Sequence, residues 1–112
     1  MTPSLPISTA KQNETSLVYA LKDLFQVLGI PCYHNIQGYH SRGHARGRPD
    51  LEAIWKGVTY FIECKHPKTG GKMSSYQEEH RQMIETAGAP YIKATSVDDV
   101  VKGMRLPVGV RG

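Results

Sequence analysis

The sequence predicts a mixed α/β domain with a central sheet covered by helices, in the order helix, strand, strand, strand, helix, strand, helix. Three observations predict it. Apolar and polar side chains alternate on both sides of Lys56-Gly57, as in a hairpin with a two-residue turn. Leu17, Val18, Leu21, Leu24, Phe25 and Leu28 recur at helical spacing. Two later helical segments begin at polar caps, Ser74 and Ser96, and bracket a short apolar run at 90–94.

The elements follow in order. Residues 1–8 contain two prolines and form a flexible lead-in. Thr9 with Gln12 has capping-box spacing, which starts the first helix near Ala10, and Gly29 closes it. Residues 31–37 read as a short strand, and 38–48 as a loop rich in Gly, Arg and His. The hairpin comes next. Trp55 facing Val58 makes each opposed pair of residue numbers add to 113, which sets Asp50 opposite Glu63. Opposed Cβ atoms lie roughly 4.5–5.5 Å apart. Leu51, Ala53, Trp55, Val58, Tyr60, Ile62 and Cys64 share one face, and Asp50, Glu52, Ile54, Lys56, Thr59, Phe61, Glu63 and Lys65 share the other. Pro67 ends the second hairpin strand. Ser74 with Gln77 caps a second helix whose inner stripe is Tyr76, His80, Met83, Ile84 and Ala87, ended by Gly88. Ser96 with Asp99 caps the last helix, and 106–112 reads as a flexible tail. One domain spans 1–112, consistent with its length.

Composition bounds the function. The formal charge is +4 and the pI about 9.2, a basic excess compatible with a polyanionic partner. No apolar stretch approaches the roughly 18 residues of a membrane span, and 1–10 lacks the pattern of a signal peptide. Cys32 and Cys64 form no Cys-x-x-Cys pair, the histidines lack zinc-finger spacing, and both thiols suit a reducing cytoplasm.

The chemistry-bearing residues gather on the hairpin. Two opposed like charges destabilise a strand pair unless a cation lies between them, and carboxylate oxygens bind divalent cations. Asp50, Glu63 and Lys65 are therefore candidate site residues; the bland alternative is a surface ion-pair cluster. Glu14, one turn before the apolar stripe, is either a paired or metal-bound acid or a first-turn acid favoured by the helix dipole. His80 reads as a packed histidine. Tyr39, Arg42, Arg46 and Arg48 in the loop, with Lys68 and Lys72 after the hairpin, suit phosphate contact and base or sugar stacking; the alternative is a merely soluble loop.

Gly47-Arg48-Pro49-Asp50, Glu63-Cys64-Lys65, Ser74-Ser75-Tyr76-Gln77 and Ala87-Gly88 before Tyr91-Ile92 together resemble the VRR-NUC domain of the PD-(D/E)XK nuclease superfamily, over about 14–101. Stand-alone, phage-type members of that group are similar to Holliday-junction resolvases. The resemblance implies a restriction-endonuclease-like mixed β-sheet flanked by helices, order αβββαβα. It implies that Asp50, Glu63, Glu14 and the Cys64 carbonyl bind metal, that Lys65 orients or activates water, and that Gln77 supports Lys65 or the scissile phosphate. Oxygen ligands suit Mg²⁺ or Mn²⁺ rather than Zn²⁺. The expected activity is metal-dependent hydrolysis of DNA phosphodiesters, selective for branched structures such as four-way (Holliday) junctions, since no base-reading module is present. The alternatives are a sequence-specific or nicking nuclease of the restriction type and a noncatalytic nucleic-acid-binding protein. The remaining expectations are a homodimer, no membrane association, no small-molecule cofactor, and a cytoplasmic site of action, the host cytoplasm if phage-encoded.

Overall fold

A computed structural model of the chain describes residues 13–36 and 46–108. Seven elements appear in the expected order: α1 (Glu14–Leu28), β1 (Cys32–His34), β2 (Leu51–Trp55), β3 (Val58–Cys64), α2 (Ser75–Thr86), β4 (Tyr91–Ala94) and α3 (Val97–Met104). The four strands form one mixed sheet in the order β1-β2-β3-β4. The first three pair antiparallel, and β4 joins β3 in parallel after the crossover through α2.

The hairpin has the register the turn predicts, from Trp55 opposite Val58 to Leu51 opposite Ile62. Lys56 and Gly57 both take positive φ, 51° and 78°. That is the twist of a type I′ turn, which matches the twist of the strands it joins.

The apolar face of this ribbon is the floor of the core. Leu51, Ala53, Ile62 and Cys64 are fully buried, together with Leu21 and Phe25 of α1 and Val100 of α3. Trp55 and Tyr60 pack against that cluster in part, while Val58, beside the turn, is exposed. Cys32 and His34 of β1 stand opposite Ala53 and Leu51, so they share this face, and Tyr33 opposite Glu52 turns away from it. Ile92 of β4 also packs against the core.

Four expectations change. Helix α1 starts at Glu14 rather than near Ala10. Its cap is Asn13, whose side chain accepts the Ser16 amide while Ser16 Oγ accepts the Asn13 amide, each at 2.9 Å. This reciprocal pair has the same spacing as Thr9–Gln12, which lies outside the described residues. Strand β1 is three residues long and ends at His34, not at Gln37. Helix α2 has no buried residue; Tyr76 and Met83 of its expected inner stripe are 47% and 60% exposed. It lies on the polar face of the sheet, so its contacts are mostly polar. Leu106, expected in a tail, is buried in the core, and Val108 packs beside it. Among the described residues no helix is long and apolar enough to cross a membrane.

Candidate active site

Asp50 lies just before β2, at the position that continues the register opposite Glu63. Its Oδ2 accepts the backbone N–H of Cys64 at 2.8 Å, and its carbonyl accepts the Asn35 N–H at 2.8 Å. The Asp50 carboxylate is thereby tied to the strand that carries Glu63 and Lys65.

Glu63 and Lys65 are buried, at 3% and 6% exposure. Buried charges need partners, and Gln77 supplies them for both. Its Nε2 donates to Glu63 Oε2 at 2.9 Å, and its Oε1 accepts from Lys65 Nζ at 2.7 Å. Lys65 Nζ stands 3.8 Å from the same Glu63 oxygen. The side chain of Gln77 is placed by the capping box read from the sequence: Ser74 Oγ accepts the Gln77 amide at 3.2 Å, and Gln77 Oε1 accepts the Ser74 amide at 2.9 Å.

Gly47 seats this turn of α2. It has φ +80° and lies so close to the helix that a Cβ there would stand 2.3 Å from the carbonyl carbon of Tyr76 and 2.7 Å from the amide nitrogen of Gln77. Only glycine fits both the conformation and the approach. Gly71 similarly abuts the Lys65 stem, with its virtual Cβ 3.0 Å from Lys65 Cδ.

Burial, then the Asp50 charge, push the Glu63 carboxyl up to about 8, partly offset by Lys65. Its Oε1 is buried without a hydrogen-bond partner. An orphaned carboxylate oxygen beside a second carboxylate fits a hard divalent cation, which takes oxygen ligands and completes its shell with water or substrate phosphate. The Cys64 side chain is buried in the core and its thiol is pushed well up by burial, so it stays protonated and supplies no thiolate ligand.

A cleft of about 370 Å³ opens at this cluster. Asp50, Glu63 and Gln77 line it with Glu14, which is exposed at the first position of α1. Among the described residues no three His, Cys, Asp or Glu side chains gather closely enough to hold an ion, so Glu14 does not complete a three-acid cage here. Tyr19, His34, Asn35, Ile36 and Arg48 form the rest of the lining. Of these only Arg48 was singled out by its sequence. The signal for the others is positional, since α1 and β1 flank the strand that carries Asp50.

The expected DNA contacts divide. Tyr39 and Arg42 lie outside the described residues. Arg46 stacks over the Tyr76 ring at 5.6 Å. Arg48 pairs with Glu52 at 3.3 Å, and Asn35 holds the same Glu52 oxygen at 2.9 Å. Lys68 and Lys72 are exposed, and Lys72 lines a second groove with Lys93. Tyr91 keeps a buried hydroxyl without a partner, and Arg81 stacks on its ring at 5.5 Å.

A solved structure of a VRR_NUC domain superposes with a TM-score of 0.65, over 88% of this chain and all of that one, at 23% sequence identity. The chain has the VRR_NUC fold. No family model matches the sequence. Among curated proteins, a segment of 62 residues is 39% identical to the cytochrome bc1 complex cytochrome c subunit of Corynebacterium diphtheriae and 36% identical to that of Corynebacterium efficiens. The segment covers 54% of this chain, but only 20% and 19% of those proteins. The chain thus matches about a fifth of the length of its curated relatives. It contains no Cys-x-x-Cys-His run, the signature of c-type haem attachment. The VRR_NUC likeness, in contrast, covers 88% of this chain and the whole of the other.

Proposed function

We propose that this protein is a metal-dependent DNA endonuclease that hydrolyses phosphodiester bonds in branched DNA such as four-way junctions. The observation that carries the reading is the joining of Glu63 and Lys65 through Gln77 in the cleft that Asp50 also lines, with one Glu63 oxygen left unpartnered. Asp50 and Glu63, with the Cys64 carbonyl, would hold Mg²⁺ or Mn²⁺ in the cleft that Glu14 also lines. A cation bound there makes a water more acidic and offsets charge developing on the phosphate.

The chain's own residues do the rest. Lys65, held by Gln77 against Glu63, points its ammonium into a site that already holds two acids, where it orients the attacking water and balances the phosphate charge. Gln77 keeps Lys65 in place without neutralising it. Arg46, Arg48, Lys68 and Lys72, with Tyr39 and Arg42, contact the backbone of the DNA rather than its bases. Symmetric cutting of two junction strands needs two such sites, hence a two-fold homodimer. The two free thiols suit work in a reducing cytoplasm.

The test is incubation of purified protein with four-way junction, flap, nicked and linear duplex DNA in Mg²⁺, Mn²⁺ or EDTA. Junction cleavage that needs metal, and that Asp50→Ala and Lys65→Ala lower by about 10²–10³-fold or more while binding persists, is expected. Full activity of either variant would remove the site assignment. Cutting of linear duplex at one sequence would replace branch selectivity with restriction-type action.

A further inference from the structure

The cleft has a second wall, made by α1 and β1, that carries no role in the reading above. Lys22 Nζ lies 3.2 Å from His34 Nδ1 and 5.1 Å from the centroid of the Tyr19 ring. The Tyr19 and His34 rings meet edge-on, 6.1 Å apart at 87°. An ammonium has no lone pair, so Lys22 donates and His34 Nδ1 accepts. Accepting at Nδ1 leaves Nε2 as the ring's N–H donor. Among the described residues no carboxylate stands within ion-pair distance of Lys22. An ammonium whose neighbours are an imidazole nitrogen and an aromatic ring has two N–H donors left for an anion. Tyr19 is 53% exposed, and both Tyr19 and His34 line the cleft that holds Asp50 and Glu63. At about 370 Å³ that cleft lies within the range of small-ligand sites, about 300–1,000 Å³.

We infer that Tyr19, Lys22 and His34 form a nucleotide subsite. Lys22 and the His34 Nε2–H hold the phosphodiester next to the one cleaved, and the exposed ring of Tyr19 carries its sugar. The substrate strand then runs between this wall and the Glu63–Gln77 wall. The ligand's identity as a nucleic-acid strand rests on the nuclease reading; the anion-binding geometry does not. The contact is to backbone and independent of sequence.

Binding of a labelled single-stranded oligonucleotide in EDTA, titrated across KCl concentrations, tests this without cleavage. Lys22→Met should weaken binding about tenfold and make the slope of log K against log salt shallower by about 0.7, one phosphate contact on a single strand. Lys22→Arg should restore the slope. His34→Phe keeps the ring and removes Nε2–H, so it should weaken binding at an unchanged slope. A Lys22→Met slope equal to that of the wild type overturns the subsite, as does a wild type that binds no oligonucleotide but is saturated by inorganic phosphate. A protein that shows the slope change yet cleaves no DNA keeps the subsite and loses the nuclease reading. One that cleaves DNA with an unchanged Lys22→Met slope does the reverse.

Discussion

The two faces of the β2–β3 ribbon are built on opposite terms. On one, Leu51, Ile62 and Cys64 are sealed beneath Leu21, Phe25, Val100 and Met104 without a polar group among them. On the other, Asp50, Glu63 and Lys65 alternate with those same residues, and α2 covers part of them without burying any residue of its own. Apolar area removed from water holds the first face together. The second is held by Gln77, by the Gly47 contact and by Arg81 stacked on Tyr91. The apolar core and the polar cluster thus take opposite sides of the same few residues, and α2 is the lightly anchored part.

If that division holds, damage to each face reads out differently. The largest effect belongs to the core: Phe25→Ala should destabilise by about 3–5 kcal/mol, seen in the denaturant midpoint, with cleavage per folded molecule unchanged. Gly47→Ala should do the opposite. Its Cβ would collide with the Tyr76 carbonyl, and a shift of the first α2 turn by about 1 Å can cost about 10²-fold in rate. Single-turnover cleavage should fall by that order, with a far smaller change in the midpoint. Gln77→Ala should lower cleavage about 10–100-fold, the usual cost of losing a supporting partner. If it melts the protein as deeply as Phe25→Ala does, α2 is a core element and the comparison fails.

The smallest effect has the opposite sign. In the metal-free protein Glu63 is buried, short of a partner, and raised to about 8 from its ordinary 4.5. A raised carboxyl binds its proton more tightly when folded. Its contribution is present in full below about 4.5 and is lost as pH rises through about 8. Glu63→Gln should therefore stabilise the protein in EDTA at pH 8–9 by on the order of 1 kcal/mol. It should match the wild type near pH 4. Equal melting temperatures at both pH values would show that the carboxylate is already compensated.

What could be read from the sequence was local. The Lys56-Gly57 turn sets the register because a two-residue loop leaves no slack, and the Ser74–Gln77 and Ser96–Asp99 spacings are complete within one helical turn. The order of elements and the VRR_NUC fold followed from these with the short motifs. What escaped depends on segments far apart. Nothing near Gly47 shows that the backbone of Tyr76 will press on it, and Tyr19, Lys22 and His34 meet only because α1 crosses β1. The α1 start was missed for another reason. Thr9–Gln12 and Asn13–Ser16 offer equal spacing, and a serine at the third helical position answers an asparagine cap as well as a glutamine does.

One oxygen, Gln77 Oε1, receives both the Ser74 amide and the Lys65 ammonium. The start of a helix and the setting of a buried lysine are therefore a single event. Whatever unwinds the first turn of α2 also releases the lysine from its Gln77 partner.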